Sequence, residues 1–138
     1  MAEGSNKEFQ LKILTPDKEA FNGPVSYVKA PGVEGYFGIL VNHAPILSAL
    51  RIGELEIEEN NQRKFFAVSG GYLEMLDNHV SILAETVESA KNIDVARAEA
   101  AKLRAEKRLV AKEPGIDFER ARIALFRALN RLKISKKI

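Results

Sequence analysis

FFAVSGGYLEMLDNHVSILAETVESAKNIDVARAEAAKLRAEKRL, residues 65–109, changes its hydrophobic period partway along. Up to residue 83 its apolar residues come in short runs: Lys64 to Val68, Tyr72 to Leu76 and His79 to Leu83. Ser69-Gly70-Gly71 and Asp77-Asn78 separate them. Short apolar runs bounded by Gly, Asn and Asp predict strands joined by tight turns, because these residues accept the backbone angles a turn requires. Near residue 90 the pattern changes. Residues 94–112 are built largely of Ala, Lys, Arg, Glu and Leu, residues that lose little freedom in a helix. This stretch therefore holds the end of an all-β unit and the start of a helical one.

Upstream, the β reading continues. Phe9, Leu11 and Ile13 alternate with polar Gln10 and Lys12, the period-2 pattern of a half-buried strand. Thr15-Pro16-Asp17 reads as a turn, and Val25 and Tyr27 as one strand after Gly23-Pro24. PGVEGYFG, residues 31–38, reads as a turn-forming segment. Ile52, Leu55 and Ile57 form a strand whose Glu54, Glu56 and Glu58 look like a solvated face, and ENNQ at 59–62 closes a hairpin. Many short strands with frequent turns indicate a sandwich or barrel.

Downstream, Pro114-Gly115 stops the first helix. A second is predicted over 117–133, with Phe118, Ala121, Leu125, Ala128 and Leu132 lining one face. The short connection implies an antiparallel helical hairpin. The domains are thus a β unit over 1–88 and a two-helix unit over 89–138. The first helix offers mostly Ala96, Ala100, Leu103 and Ala111. Such a hairpin buries little apolar area, so it should be marginally docked or in need of a partner. IDVARA (93–98) recurs as IDFERA (116–121), and Asp94 and Asp117 read as N-caps worth about 1 kcal/mol each.

The chain has 138 residues, 46 % of them hydrophobic, enough for a sizeable core. No apolar run is long enough to span a bilayer. MAEGSNKEF has no apolar signal core, so export is not expected. There is no cysteine, which excludes disulfides, thiolate catalysis and Cys-type zinc sites. Residues 1–90 carry 7 basic and 13 acidic side chains, and residues 91–138 carry 14 basic and 6 acidic. The basic tail would suit an acidic protein, a phosphate ligand, an anionic membrane or nucleic acid. Nucleic-acid binding through the β unit is disfavoured by that unit's acidity.

His43 and His79 lie 36 residues apart without carboxylates at ligand spacing, so no metal site is expected. Ser69 lacks a nucleophile-elbow context. An enzyme is not indicated. The arginines are more informative. Arg97 and Arg104 share a face of the first helix, and Arg127 and Arg131 share a face of the second. Four guanidinium groups across a helix pair make a candidate polyphosphate clamp, since Arg presents planar donors to phosphate. The simpler alternative is solvated arginines flanking an Ala-rich seam.

Four stretches together resemble one family: LKILTPD (11–17), GYFGILVNHAPILSAL (35–50), FFAVSGGYLEM (65–75) with VSILAETVESAKNIDVARA (80–98), and IDFERARIALFRALNRL (116–132). In this order and spacing they look like the epsilon subunit of the bacterial rotary ATP synthase. The resemblance implies a β-sandwich of about ten strands followed by two helices, an architecture matching the reading above. It implies a non-catalytic central-stalk role, with gamma and the c-subunit ring as partners, and alpha and beta as partners when the hairpin extends. It further implies that the extended hairpin restrains ATP hydrolysis. Nucleic-acid binding and direct membrane insertion are not implied. The expected location is peripheral, on the cytoplasmic face of the bacterial plasma membrane.

The resemblance also assigns residues. The segment from Gly35 to Pro45 faces the ring, giving Glu34, Tyr36 and His43 as rotor contacts. Tyr36 stands where the family usually has an acid, and Val41 where it usually has proline, so the neighbouring Glu34 is the candidate carrier of that charge. The family's ATP-binding pattern falls on Glu88, Ile93, Asp94, Arg97, Ala98, Arg104, Arg127 and Arg131, with Ser89 where binding members often have Arg. ATP is then a regulatory ligand favouring the folded hairpin, and no other cofactor is required. Arg120, Arg122, Arg127, Arg131 and Lys133 form the inhibitory tail.

Overall fold

A computed structural model describes residues 7–111, 115 and 117–137. Eight strands precede two helices: β1 (Phe9–Leu14), β2 (Glu19–Val25), β3 (Tyr27–Gly32), β4 (Gly35–Ile39), β5 (Ile46–Leu50), β6 (Gly53–Glu59), β7 (Gln62–Leu76), β8 (His79–Ser89), α1 (Val95–Ala111) and α2 (Phe118–Ser135). The strands run in the order β2-β1-β8-β7-β5-β3-β4, with β6 bridging β3 and β7. Only the β1–β8 pairing is parallel among the described residues. Leu11, Ile13, Val28, Ile39, Leu55, Ile57, Leu73, Met75 and Ile82 are among the buried side chains of the core that the strands enclose.

Strand β7 organises the fold. Its first half pairs with β6, from Gln62 opposite Glu59 to Val68 opposite Gly53. Its second half pairs with β5, from Gly71 opposite Leu50 to Met75 opposite Ile46. Ser69-Gly70-Gly71, expected as a turn, is instead the bend where one long strand changes partners. The register against β8 is unbroken, with Val68 opposite Val87 and Leu73 opposite Ile82. The buried face nevertheless changes parity: Phe66 and Val68 point into the core before the bend, Leu73 and Met75 after it. Positive φ at Gly70 (68°) and Gly71 (132°) makes this possible. The described residues form eight strands where the resemblance implies about ten.

Three other readings change. Val25 ends β2 and Tyr27 begins β3, with Ser26 bending between them. PGVEGYFG contributes the end of β3 and the start of β4, paired Gly32 to Gly35 and Pro31 to Tyr36. Ile46–Leu50 forms β5, which its sequence pattern did not declare. The expected hairpins at Asn60-Asn61 and Asp77-Asn78 are present. All four residues have positive φ, as a two-residue turn matched to strand twist requires.

The helices start at Asp94 and Asp117. Asp94 Oδ1 accepts from the Arg97 amide at 3.0 Å, and Asp117 Oδ1 from the Arg120 amide at 3.1 Å. The seam between them buries Ala98, Ala105, Ala121 and Ala128. Ala96, Ala100, Leu103 and Ala111, the expected face of α1, are exposed instead. Pro114 lies outside the described residues.

Candidate functional site

Among the described residues, α2 rather than α1 makes the main contact with the strands, through β6 and β7. Its last turns provide the attachment. Ile134 is 0 % exposed and packs with Ala67, Ala90 and Ile93 in a small cluster separate from the sandwich core. Asn130 Nδ2 donates to the Gly53 carbonyl at 2.9 Å. Three cations of this tail meet three carboxylates of the sandwich: Arg127 to Glu85 at 3.4 Å, Arg131 to Glu88 at 2.5 Å, and Lys137 to Glu54 at 2.9 Å. The apolar part of the seat is small. The docked hairpin therefore relies on ion pairing more than a core helix does.

The expected ATP residues divide into two groups. Glu88, Arg127 and Arg131 converge beneath α2, lining a cavity of about 190 Å³ with Ser69, Thr86 and Asn130. Ser69 Oγ and Thr86 Oγ1 are hydrogen-bonded on its wall. Ile93 is buried at the hairpin seat, and Ala98 in the helix seam. Asp94 caps α1, leaving its second oxygen for another partner. Arg97 and Arg104 are exposed on α1, and no ion pair holds their side chains among the described residues. Of the inhibitory-tail residues, Arg122 pairs with Glu119 at 2.8 Å, while Arg120 and Lys133 are exposed.

The rotor-contact residues do not form a single cluster. Glu34 lies in the β3–β4 turn, whereas His43 follows the opposite end of β4. The His43 ring nitrogen Nδ1 lies 2.7 Å from the Ala44 carbonyl. Beside it, Asn42 and Asn78 exchange hydrogen bonds, its amide donating to Asn78 Oδ1 at 2.6 Å and Asn78 Nδ2 to Asn42 Oδ1 at 2.9 Å. Tyr36 turns its hydroxyl towards β6, accepting from the Glu54 amide at 3.1 Å. Lys29 and Arg51 both lie over its ring, 5.0 and 5.3 Å from the ring centre.

The sequence pattern did not disclose the acidic pair on β6. Glu54 and Glu56, expected to be solvated, are 5 % and 6 % exposed. Lys29 Nζ lies 3.4 Å from Glu54 and 3.8 Å from Glu56, and Arg63 pairs with Glu56. A clue was present in Lys29 and Arg63 on flanking strands, but only their register with β6 shows that they meet it. Burial by itself raises the Glu54 pKa. Lys137, followed by Lys29, outweighs this and holds it below the ordinary 4.5, while Glu54 in turn raises Lys137 above 10.5.

These shifts set a pH window for docking. A lowered carboxylate pKa contributes stability above 4.5 that is lost as pH falls through the docked-state value. A raised lysine pKa contributes stability below 10.5 that is lost as pH rises through its docked-state value. The groups facing Glu54 are Lys29 on β3, Tyr36 on β4, Glu56 on its own strand with Arg63 from β7, and Lys137 from the tail. Docking should therefore weaken in acid, and Glu54→Gln should remove part of that weakening. Amide exchange in α2 between neutral pH and pH 4 measures this. Identical acid profiles for the two proteins would contradict it.

The class of protein this geometry defines is a β-sandwich carrying a helical hairpin docked by ion pairs and a small apolar seat. Residues 8–90 match the ATP synthase delta/epsilon chain β-sandwich domain, and residues 91–136 match the long α-helix domain of the same chain. The ATP synthase epsilon chain of Desulforamulus reducens is 46 % identical over 132 residues, covering 94 % of this chain and 98 % of that relative. That of Nitratidesulfovibrio vulgaris is 48 % identical over 128 residues, covering 93 % and 96 %. The fold is also seen in a solved structure of the Euglena gracilis mitochondrial ATP synthase, at 23 % identity and a TM-score of 0.78 over 89 % of this chain and 79 % of that one. The chain belongs to the ATP synthase delta/epsilon chain family.

Proposed function

We propose that the chain is a non-catalytic central-stalk subunit of a proton- or sodium-translocating ATP synthase, and that its hairpin restrains ATP hydrolysis. The observation that carries this is the family match across both units, in order, over residues 8–136. The sandwich joins a gamma subunit to the c ring. An apolar row across four strands suits a protein partner: Ala49 opposite Tyr72, Tyr72 opposite Leu83, and Leu83 opposite Leu14. Tyr72 and Leu83 are 59 % and 55 % exposed there, more apolar surface than a strand face needs to show to water. No described helix is long and apolar enough to cross a membrane. The subunit sits peripherally, at the cytoplasmic face of the bacterial plasma membrane.

The tail's charges serve both hairpin positions. Residues 119–138 carry seven basic side chains against one acid, Glu119. Folded, three of the cations are neutralised on Glu54, Glu85 and Glu88. Extended, those three become free to meet an acidic surface of the alpha and beta subunits, aiding encounter and register more than affinity. ATP favours the folded form by supplying phosphate to the hairpin's arginines, and no other cofactor is needed. The described core of the sandwich draws only on residues 9–87, so the sandwich should fold without the hairpin. Deleting residues 91–138 should leave gamma binding intact and raise ATP hydrolysis by the reconstituted complex. Unchanged hydrolysis would remove the inhibitory role.

A further inference from the structure

Glu54 Oε1 is buried and has no hydrogen bond of good geometry among the described residues. Lys137 Nζ stands 2.9 Å from it. Lys29 lies nearer the other oxygen, at 3.4 Å, and is shared with Glu56. The Lys137 ammonium also lies 5.3 Å from the centre of the Phe65 ring, which favours a cation over a neutral group. A carboxylate taken out of water without a partner is far more costly than a solvated one. Glu54 and Glu56 meet Lys29 and Arg63 from the sandwich, but Lys137 alone comes from the hairpin.

We infer that Lys137 is the latch of the hairpin, its ammonium closing the buried Glu54–Glu56 carboxylate pair in the folded form. Release of the tail leaves Lys29 and Arg63 to hold both carboxylates and exposes Glu54 Oε1. A docked tail without the Lys137 ammonium would instead cover Glu54 Oε1 and leave it unpaired, so stable docking depends on this one contact beyond the last turn of α2. The remaining pairs, Arg127–Glu85 and Arg131–Glu88, involve more exposed carboxylates, 67 % and 32 % at the side chain against 6 % for Glu54. Arg127–Glu85 is exposed on both sides and contributes little because water screens it, and Arg131–Glu88 is half-buried. What sets the third pair apart is the buried carboxylate, since Lys137 itself is 37 % exposed. The latch rests on the reading that the hairpin leaves the sandwich, and names the contact that opposes its leaving.

The chain has no cysteine, so two introduced ones can be labelled cleanly. Lys12→Cys on β1 and Lys107→Cys on α1, carrying a fluorophore pair, report the open fraction of single full-length molecules. Lys137→Met keeps most of the side chain's length and removes its charge. Lys136→Met is the control, since Lys136 is exposed and makes no ion pair among the described residues. Lys137→Met should raise the open fraction about tenfold over the control, between the effects of exposed and buried pairs. Adding Glu54→Gln to Lys137→Met should open it no further. Equal opening by Lys137→Met and Lys136→Met would overturn the latch while leaving a mobile hairpin. A single closed population in every variant would overturn the mobile hairpin, and the latch with it.

Discussion

Gly71→Ala should leave little folded protein. Its φ is +132°, a region side chains rarely occupy, and an added Cβ would lie 2.0 Å from the Leu83 carbonyl oxygen and 2.8 Å from Ala84 Cα. Both obstacles are backbone of the paired strand β8, which cannot move aside as a flexible side chain does. Strain of this kind belongs to the exceptional class, above about 4 kcal/mol, against a total stability of about 5–15 kcal/mol for a small domain. Gly35→Ala separates the two contributions. Gly35 has a similar φ of +138° but nothing within 4 Å of its added Cβ, so only the backbone cost of about 1–3 kcal/mol remains. Urea unfolding of the three proteins tests this. Gly71→Ala melting alongside Gly35→Ala would show that the bend relaxes.

Calorimetric titration of the full chain with ATP should give saturable binding, and Arg127→Ala or Arg104→Ala should weaken it by about 1.5–3 kcal/mol, tenfold or more. Antiparallel packing puts the end of α2 beside the start of α1, so arginines of both helices are available to a triphosphate. Arg127 and Arg131 already line a cavity with Ser69, Thr86 and Asn130. They are held there by Glu85 and Glu88, and phosphate must compete with those carboxylates. Arg104, exposed and without an ion pair among the described residues, can be removed with least effect on docking. Asp94→Ala is a poorer probe, because it also removes a helix cap. Glu88 can face the nucleoside end, while Asp94's second oxygen is suited to the adenine amino group. Absence of heat at about millimolar ATP, where binding is worth about 4 kcal/mol, would remove ATP as a ligand. Equal binding by the variants would leave the arginines to the docked and extended contacts alone.

The two-part organisation was legible because it depends on periodicity, and both hairpins were legible because Asn-Asn and Asp-Asn tolerate positive φ. What escaped depends on neighbours. Ser69-Gly70-Gly71 has the composition of a turn, and only continued pairing with β8 makes it a bend. In α1, alanines occur on several faces, so composition could not choose Ala98 and Ala105 over Ala96 and Ala100. Alternation put Glu54 and Glu56 on one face of β6 but could not show that Lys29 of β3, Arg63 of β7 and Lys137 beyond α2 cover it. The four arginines stood out by their helical spacing, and the family resemblance strengthened that reading. The pairing of Arg127 and Arg131 with Glu85 and Glu88 required the fold.

Alternation along β7 has a mechanical consequence. Phe66 and Val68 point into the sandwich core, while Ala67 between them faces the hairpin through Ile134. The landing pad is therefore the back of a wall already braced from inside. A hairpin that departs leaves that wall standing, and one that returns finds its berth already built. Little structural rearrangement is demanded of the sandwich in either direction, which suits the reversible docking proposed for the hairpin.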